Sequence, residues 1–185
     1  MDNAIAIFKN ELKEYNKHTN IYSSKAYPLL DFHIQDSLYL SALIKEKKAQ
    51  HILDIGSGSG LPAIFLALAL PKTKITAVES KSRKTKFLEH IKKTLKLENL
   101  NIIQEDIHVV IKKETLKIDT VTAKAFGSYQ KIKDILKKYK KNPLSLYIPI
   151  SKNQLRNLKK TSDLNYHSSQ NEEFHYIYSP NKSDS

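Results

Sequence analysis

The stretch His51 to Phe65 reads HILDIGSGSGLPAIF and decides the fold. The whole chain has four glycines, and Gly56, Gly58 and Gly60 all fall here. A sequence so poor in glycine gains little from such a cluster unless the backbone must do what side chains would block. Ahead of the loop, Ile52, Leu53 and Ile55 form an apolar, partly β-branched run, the mark of a buried parallel strand. Behind it, Leu61, Ile64, Phe65 and Leu68 recur at helical spacing, with Pro62 where a first helical turn tolerates proline. Strand, glycine loop and helix in succession place a nucleotide-like ligand at the carboxyl end of a sheet.

The spacing of the glycines narrows the ligand. A dinucleotide fingerprint needs Gly-x-Gly-x-x-Gly, and counting from Gly56 the third glycine position holds Leu61. Counting from Gly58 does no better, and no Gly-Lys-Ser/Thr follows to make a phosphate loop. What remains is Asp54-x-Gly56-x-Gly58-x-Gly60, with an acidic residue, Glu79, closing the next strand-like run Ile75 to Val78. A carboxylate about 20 positions on is suited to gripping two ribose hydroxyls. The loop resembles motif I of the Rossmann-like S-adenosylmethionine-dependent methyltransferases. That ligand carries an amino acid and no pyrophosphate, so the glycines would serve close backbone approach. The blander alternative is a tight turn with no ligand.

Length and composition set the frame. A chain of 185 residues makes one domain with a real core. We expect an N-terminal helical extension over residues 1–48, a Rossmann-like core over 49–178 and a polar, fraying tail over 179–185. The absence of cysteine excludes disulfides, thiolate metal sites and cysteine nucleophiles. The N-terminal MDNAIAIFKNELKEY lacks the basic start and apolar core of a signal peptide. The longest apolar run, Leu61 to Leu70, is interrupted by Pro62 and too short to span a bilayer. A cytoplasmic monomer is the default expectation. The net charge of +12 points to a polyanionic partner. Arg83 and Arg156 are the only arginines, and lysine reads phosphate as a point charge with little base specificity. Lysine richness of this kind also arises from genome base composition alone.

Along the chain, a helix is expected over residues 4–16, with Ile5, Phe8, Leu12 and Tyr15 on one stripe. A second should run from near Leu29 to Ile44. From His51 onward strand and helix alternate, which argues a mostly parallel, seven-stranded sheet with helices on both faces. Further strands are expected at Lys74–Val78, Leu100–Ile103, Ile118–Lys124, Leu144–Ile150, Leu164–His167 and Phe174–Tyr178. Helices are expected over 82–96, as a short turn at Asp106–Lys113, up to Tyr139, and near Lys152–Lys160. On the 82–96 helix, Phe87, Leu88, Ile91 and Leu95 should face inward, and Lys84, Lys86, Lys92, Lys93 and Lys96 outward. Lys137, Lys138, Lys140 and Lys141 read as a solvated helix end.

Several segments around the loop narrow the family. They are Tyr15-Asn16-Lys17-His18-Thr19-Asn20-Ile21, His33-Ile34-Gln35-Asp36-Ser37-Leu38, Lys96-Leu97-Glu98-Asn99-Leu100 and Val121-Thr122-Ala123-Lys124-Ala125-Phe126-Gly127-Ser128. With Gly56-Ser57-Gly58-Ser59-Gly60-Leu61-Pro62 they resemble, in order and over about residues 10–155, the bacterial ribosomal small-subunit RNA methyltransferase G family. It is also called the glucose-inhibited division protein B family. The resemblance implies S-adenosylmethionine as cofactor, methylation of N7 of a guanine in 16S ribosomal RNA, and that RNA or the small ribosomal subunit as partner. It also implies a cofactor site made of Gly56, Gly58, Gly60, Leu61, Glu79, Ile107, His108 and Lys124, with Ile107 and His108 along the adenine and Lys124 near the entering base. Lys152-Asn153-Gln154 matches a Lys-Gly-Gln that the family places after the fifth strand. Four positions depart from the pattern: Ala63 for a fourth glycine, Glu79 for aspartate, His108 for glutamate and Lys124 for arginine. The last keeps the charge and loses the bidentate fork.

Guanine N7 has a free lone pair and no proton to lose, so its methylation needs no general base, and catalysis would rest on positioning and desolvation. No nucleophile–base constellation stands out, as this chemistry leads one to expect. His33 and Asp36, three apart on a helix, read as anchors hydrogen-bonded to the loops above rather than as metal ligands, and the seven histidines show no zinc spacing. Tyr15, Tyr22, Tyr27 and Phe32 read as core packing rather than base-stacking platforms. Two other function classes compete. One is a catalytically silent methyltransferase fold that holds RNA or cofactor without turnover, which loss of Glu79 or the glycines would favour; a methyltransferase acting on another RNA is the nearer alternative within the leading class. The other is a nicotinamide oxidoreductase, which Leu61 argues against.

Overall fold

The computed structural model describes residues 1–113, 116–137, 139, 145–161, 165–169 and 173–179. The expectations for Lys138, Lys140, Lys141, Leu164 and residues 180–185 lie outside the described residues.

Strand β1 (His51–Ile55) is buried at every residue, as its apolar run requires. It is followed by β2 (Lys74–Glu79), β3 (Leu100–Gln104), β4 (Thr120–Thr122), β5 (Ser145–Ile150), β6 (Tyr166–Ser168) and β7 (His175–Ser179). These build one sheet in the order β3-β2-β1-β4-β5-β7-β6. All pairs are parallel except those of β7, which runs antiparallel to both β5 and β6. The order reverses at β1, so the carboxyl ends of β1 and β4 diverge and leave a crevice, the usual ligand seat of an open α/β sheet.

The helices are α1 (Asp2–Asn16), α2 (Leu30–Glu46), α3 (Ala63–Ala69), α4 (Ser82–Thr94), α5 (Ile107–Lys112), α6 (Tyr129–Leu136) and α7 (Lys152–Thr161). A short 3-10 turn, Ser24–Leu29, precedes α2. Alternation along the strands feeds two cores, one on each face of the sheet. Ile52, Ile75 and Ala77 pack under α1 to α4 with Phe8, Leu12, Ile34, Phe65 and Phe87. Leu53, Ile55, Val78 and Val121 pack under α5 and α6 with Val110, Ile132 and Ile135. The N-terminal helices belong to the first core outright: Phe8 meets Phe65 edge-on at 5.1 Å between ring centroids.

Three expectations shift. The fourth strand covers only Thr120–Thr122 of the expected Ile118–Lys124, although the Asp119 backbone already donates to the His51 carbonyl and accepts from the Ser145 amide. The Asp119 carboxylate accepts the amides of Gln50 at 2.8 Å and His51 at 3.0 Å, pinning the start of β1. Thr122, fully buried, donates its hydroxyl to Asp54 Oδ1 at 2.8 Å, which is why a polar residue sits in this strand. Phe32 is not core: it is 43% exposed, on the face of α2 that looks toward Phe174. Lys84 does not join the outer lysines of α4; it is half-buried and bends over the glycine loop.

Candidate active site

The loop after β1 is held by its own backbone. Gly56 and Ser57 both donate amides to the Val78 carbonyl, at 2.9 and 3.1 Å, and Gly60 donates to Ser57 at 2.7 Å. Glu79, at the end of β2, lies across it. Its Oε2 accepts the Gly58 amide at 3.0 Å and its Oε1 the Lys81 amide at 2.9 Å. Each carboxylate oxygen accepts more than one hydrogen bond, so capacity remains for two hydroxyls.

The glycines perform different tasks. Gly58 has φ +57°, and a Cβ there would be in ordinary contact with the Lys84 ammonium at 3.6 Å and the Gly56 carbonyl at 3.7 Å, so the strain of its backbone, not lack of space, is what calls for glycine. Gly60 has φ +88°, and a Cβ would sit 2.2 Å from Ile64 Cδ1 and 3.0 Å from Leu88 Cδ2. Gly60 therefore lets α3 and α4 pack close against the loop, a task distinct from that of Gly58.

Three cavities meet here. The first, about 250 Å³, is bounded by Gly56, Val78, Glu79, Lys84, Glu105, Asp106, Ile107 and Phe126. The second, about 300 Å³, lies on the other side of the loop, between Gly56, Gly58, Leu61, Lys84, Lys124, His33 and the Tyr22 segment. The third, about 380 Å³, opens between α2, the end of β5 and the start of β7. His33 and Lys124 line the second and third, and Ala125 lines all three. Ala125 has φ +54°, a left-handed conformation costly for a residue with a Cβ and typical of functional loops.

Of the expected site residues, Gly56, Glu79 and Ile107 line the first cavity, and Gly56, Gly58, Leu61 and Lys124 the second. Gly60 and His108 line none of the three. His108 is exposed, and its amide is taken by the Asp106 side chain at 2.7 Å as the cap of α5. The first cavity suits a nucleoside with vicinal hydroxyls: a buried carboxylate at one end, the buried apolar side chain of Ile107 at the other, and a backbone edge free of Cβ between them.

A network that sequence alone did not connect lies behind the second and third cavities. Lys124 Nζ pairs with Asp36 Oδ2 at 2.6 Å, with side chains only 16% and 8% exposed, and also reaches the His33 carbonyl at 3.4 Å. Tyr176, on β7, donates its hydroxyl to Asp36 Oδ1. Burial first, and then the Asp36 charge, push the Tyr176 phenol well above its ordinary range, so it stays a donor. His33 Nδ1 is 2.5 Å from the Tyr22 hydroxyl. Burial, and next the Lys124 ammonium, hold that imidazole below its usual range, disfavouring its charged form. His33 and Asp36 thus anchor α2 to loops, as expected, through partners the sequence did not name. The signal available was the His33-x-x-Asp36-Ser37 segment itself.

Beneath the loop, Asp54 is fully buried and its Oδ2 has no hydrogen-bond partner among the described residues. Burial pushes its carboxyl up to about 6, against the hydroxyls of Ser57 and Thr122, which pull it down. Gln154, in the Lys152-Asn153-Gln154 segment, accepts the Ser151 amide at 2.8 Å while Ser151 Oγ accepts the Gln154 amide at 3.2 Å. This is a reciprocal capping box at the start of α7. The glutamine is accounted for by helix capping.

A family model described as rRNA small subunit methyltransferase G matches residues 1–181. The chain belongs to that family. Among its curated relatives named ribosomal RNA small subunit methyltransferase G, the Acholeplasma laidlawii protein is 34% identical over 126 residues, 68% of this chain and 54% of that protein. The Coxiella burnetii protein is 36% identical over 122 residues, 65% of this chain and 57% of its own. The chain thus spans a little over half the length of these methyltransferase G relatives. Among solved structures, a methyltransferase from Geobacter sulfurreducens superposes with a TM-score of 0.65 at 12% identity, over 96% of this chain and 88% of that one. A SAM-dependent methyltransferase from Aquifex aeolicus gives 0.52 at 14%, over 77% and 89%. At such identities the likeness speaks for the shared fold, the Rossmann-like methyltransferase architecture expected of a methyltransferase G member.

Proposed function

We propose that the protein is an S-adenosylmethionine-dependent methyltransferase acting on N7 of a guanine in 16S ribosomal RNA. The observation that carries the reading is the glycine loop clasped by the Glu79 carboxylate, with a cavity on either side of it. Membership of the methyltransferase G family supports the substrate. Bound there, the cofactor would supply a sulfonium methyl for in-line displacement by N7.

The chain's own residues position the reactants. Glu79 accepts the ribose hydroxyls through the capacity left by Gly58 and Lys81, and Ile107 lies along the adenine. Gly58 and Leu61 flank the amino-acid end, with Gly60 and the His108 backbone supporting the loop and the α5 turn from outside the cavities. Lys124 and His33 stand where the second cavity passes into the third, which is where cofactor and base would meet. N7 needs no deprotonation, so His33 is not required as a base. Orientation and exclusion of water are what the site supplies. The partner would be 16S RNA or the small subunit, met by the lysine-rich surface of a cytoplasmic monomer. No helix among the described residues is long and apolar enough to cross a membrane.

The test uses small subunits from a strain lacking its own enzyme of this type. Incubated with the protein and methyl-labelled cofactor, they should acquire label at one guanine. Borohydride and aniline cleavage then maps 7-methylguanosine. Label on another base or another atom would overturn the N7 assignment. Equilibrium dialysis should show S-adenosylmethionine retained and NAD not.

A further inference from the structure

We propose that the third cavity, between α2 and the β6–β7 hairpin, is the seat of the target guanine, with Phe32 as its stacking face and His175 as an edge-reading group. This deepens the methyltransferase reading and rests on it for the identity of the base. The cavity, about 380 Å³, is within the size of a small-molecule site, and it adjoins the loop cavity through His33, Lys124 and Ala125.

Its walls are unusual for a crevice left by packing alone. Phe32 is 43% exposed on the cavity rim and lies 5.0 Å from Phe174, centroid to centroid, in a tilted pair. Aromatic faces left open in a strongly basic protein suit a splayed-out base, since every base offers a π-face. His175 is 4% exposed; its Nδ1 is 2.8 Å from Ser168 Oγ, and its Nε2 is buried with no partner among the described residues while the residue lines the cavity. A buried ring nitrogen without a partner is costly, and a small shift of the ring toward the cavity would bring it to the edge of an entering base. Lys124 spends two contacts on Asp36 and the His33 carbonyl, and an ammonium has three donors. The remaining donor fits the O6 acceptor of guanine and opposes the exocyclic amine that adenine carries at the same place. A stacking wall, an unpaired buried nitrogen and a cationic donor thus converge on one cavity next to the cofactor seat.

Two measurements test this on the intact protein. Saturation-transfer NMR with GMP, in the presence of S-adenosylhomocysteine, should show transfer to the purine H8, weaker transfer with AMP, loss in Phe32→Ala and recovery in Phe32→Tyr. With undermethylated small subunits, Phe32→Ala should raise KM about tenfold or more, the order a lost base–aromatic stack produces, with cofactor affinity held within twofold. His175→Asn should lower the GMP response while Tm stays within a few degrees. Equal GMP signals in wild type and Phe32→Ala, no GMP signal in wild type, or unchanged KM in Phe32→Ala would each overturn the base seat. If GMP behaves as described and the wild type leaves every small subunit unlabelled, the seat stands and the methyl-transfer reading fails.

Discussion

The two sides of the crevice are built by different means. The cofactor side is mostly local: strand, loop, helix and the Glu79 clasp come from residues 51–94, with Ile107 and Phe126 added from α5 and the loop after β4, and the clasp itself is made to backbone amides. The base side is dispersed: Asp36 comes from α2, Lys124 from the loop after β4 and Tyr176 from β7, and its contacts are between side chains. A local, backbone-built site tolerates side-chain change around it. A side-chain network across the whole chain is instead coupled to global stability.

The strongest way to break that contrast is Lys124→Ala. It strips the partner from a buried carboxylate and should destabilise the fold by about 3–5 kcal/mol, read by urea denaturation. Turnover should fall further than cofactor affinity; equal losses would mean that the two sides do not act separately. Asp54 lies under both sides through its bond with Thr122. Its folded pKa, raised to about 6 from 3.8, means that the charged form is the unfavourable one in the folded state. Stability from this residue is therefore fully present below pH 4 and lost as pH rises to 6, by about 3 kcal/mol. The stability difference between Asp54→Asn and wild type should grow by that amount across the same window and stay flat above it. A flat difference throughout would place water or a counter-charge at Oδ2. The smallest effect should come from Glu79→Ala, which ought to weaken cofactor binding by about 1–3 kcal/mol in calorimetry. If small-subunit KM rises as much as the cofactor Kd, the clasp reaches across to the base side.

The same division explains what the sequence could tell. The sheet, the helices and the glycine loop follow from periodicity and glycine placement over short windows, and each appears within a few residues of its expected bounds. Glu79 was legible because a strand separates it from the loop. Lys84 was not: spacing put it among the outer lysines of α4, and only the depth of the loop draws it inward over Gly58. An aromatic on an apolar helix normally packs, so Phe32 reads as core, and nothing local shows that it stays 43% exposed beside Phe174. Tyr176 and His175 looked like ordinary strand residues. Their roles depend on β7 inserting antiparallel beside β5, a pairing that no residue of the hairpin announces.

That antiparallel insertion has a consequence for the life of the chain. Tyr176 and Asp36 are 140 residues apart, so the contact that closes the base side joins the first quarter of the protein to its last strand. On a translating ribosome the glycine loop can be complete while this wall is missing. A chain translated only as far as α4 holds the residues of the loop and of the Glu79 clasp and still lacks the tyrosine that completes the wall.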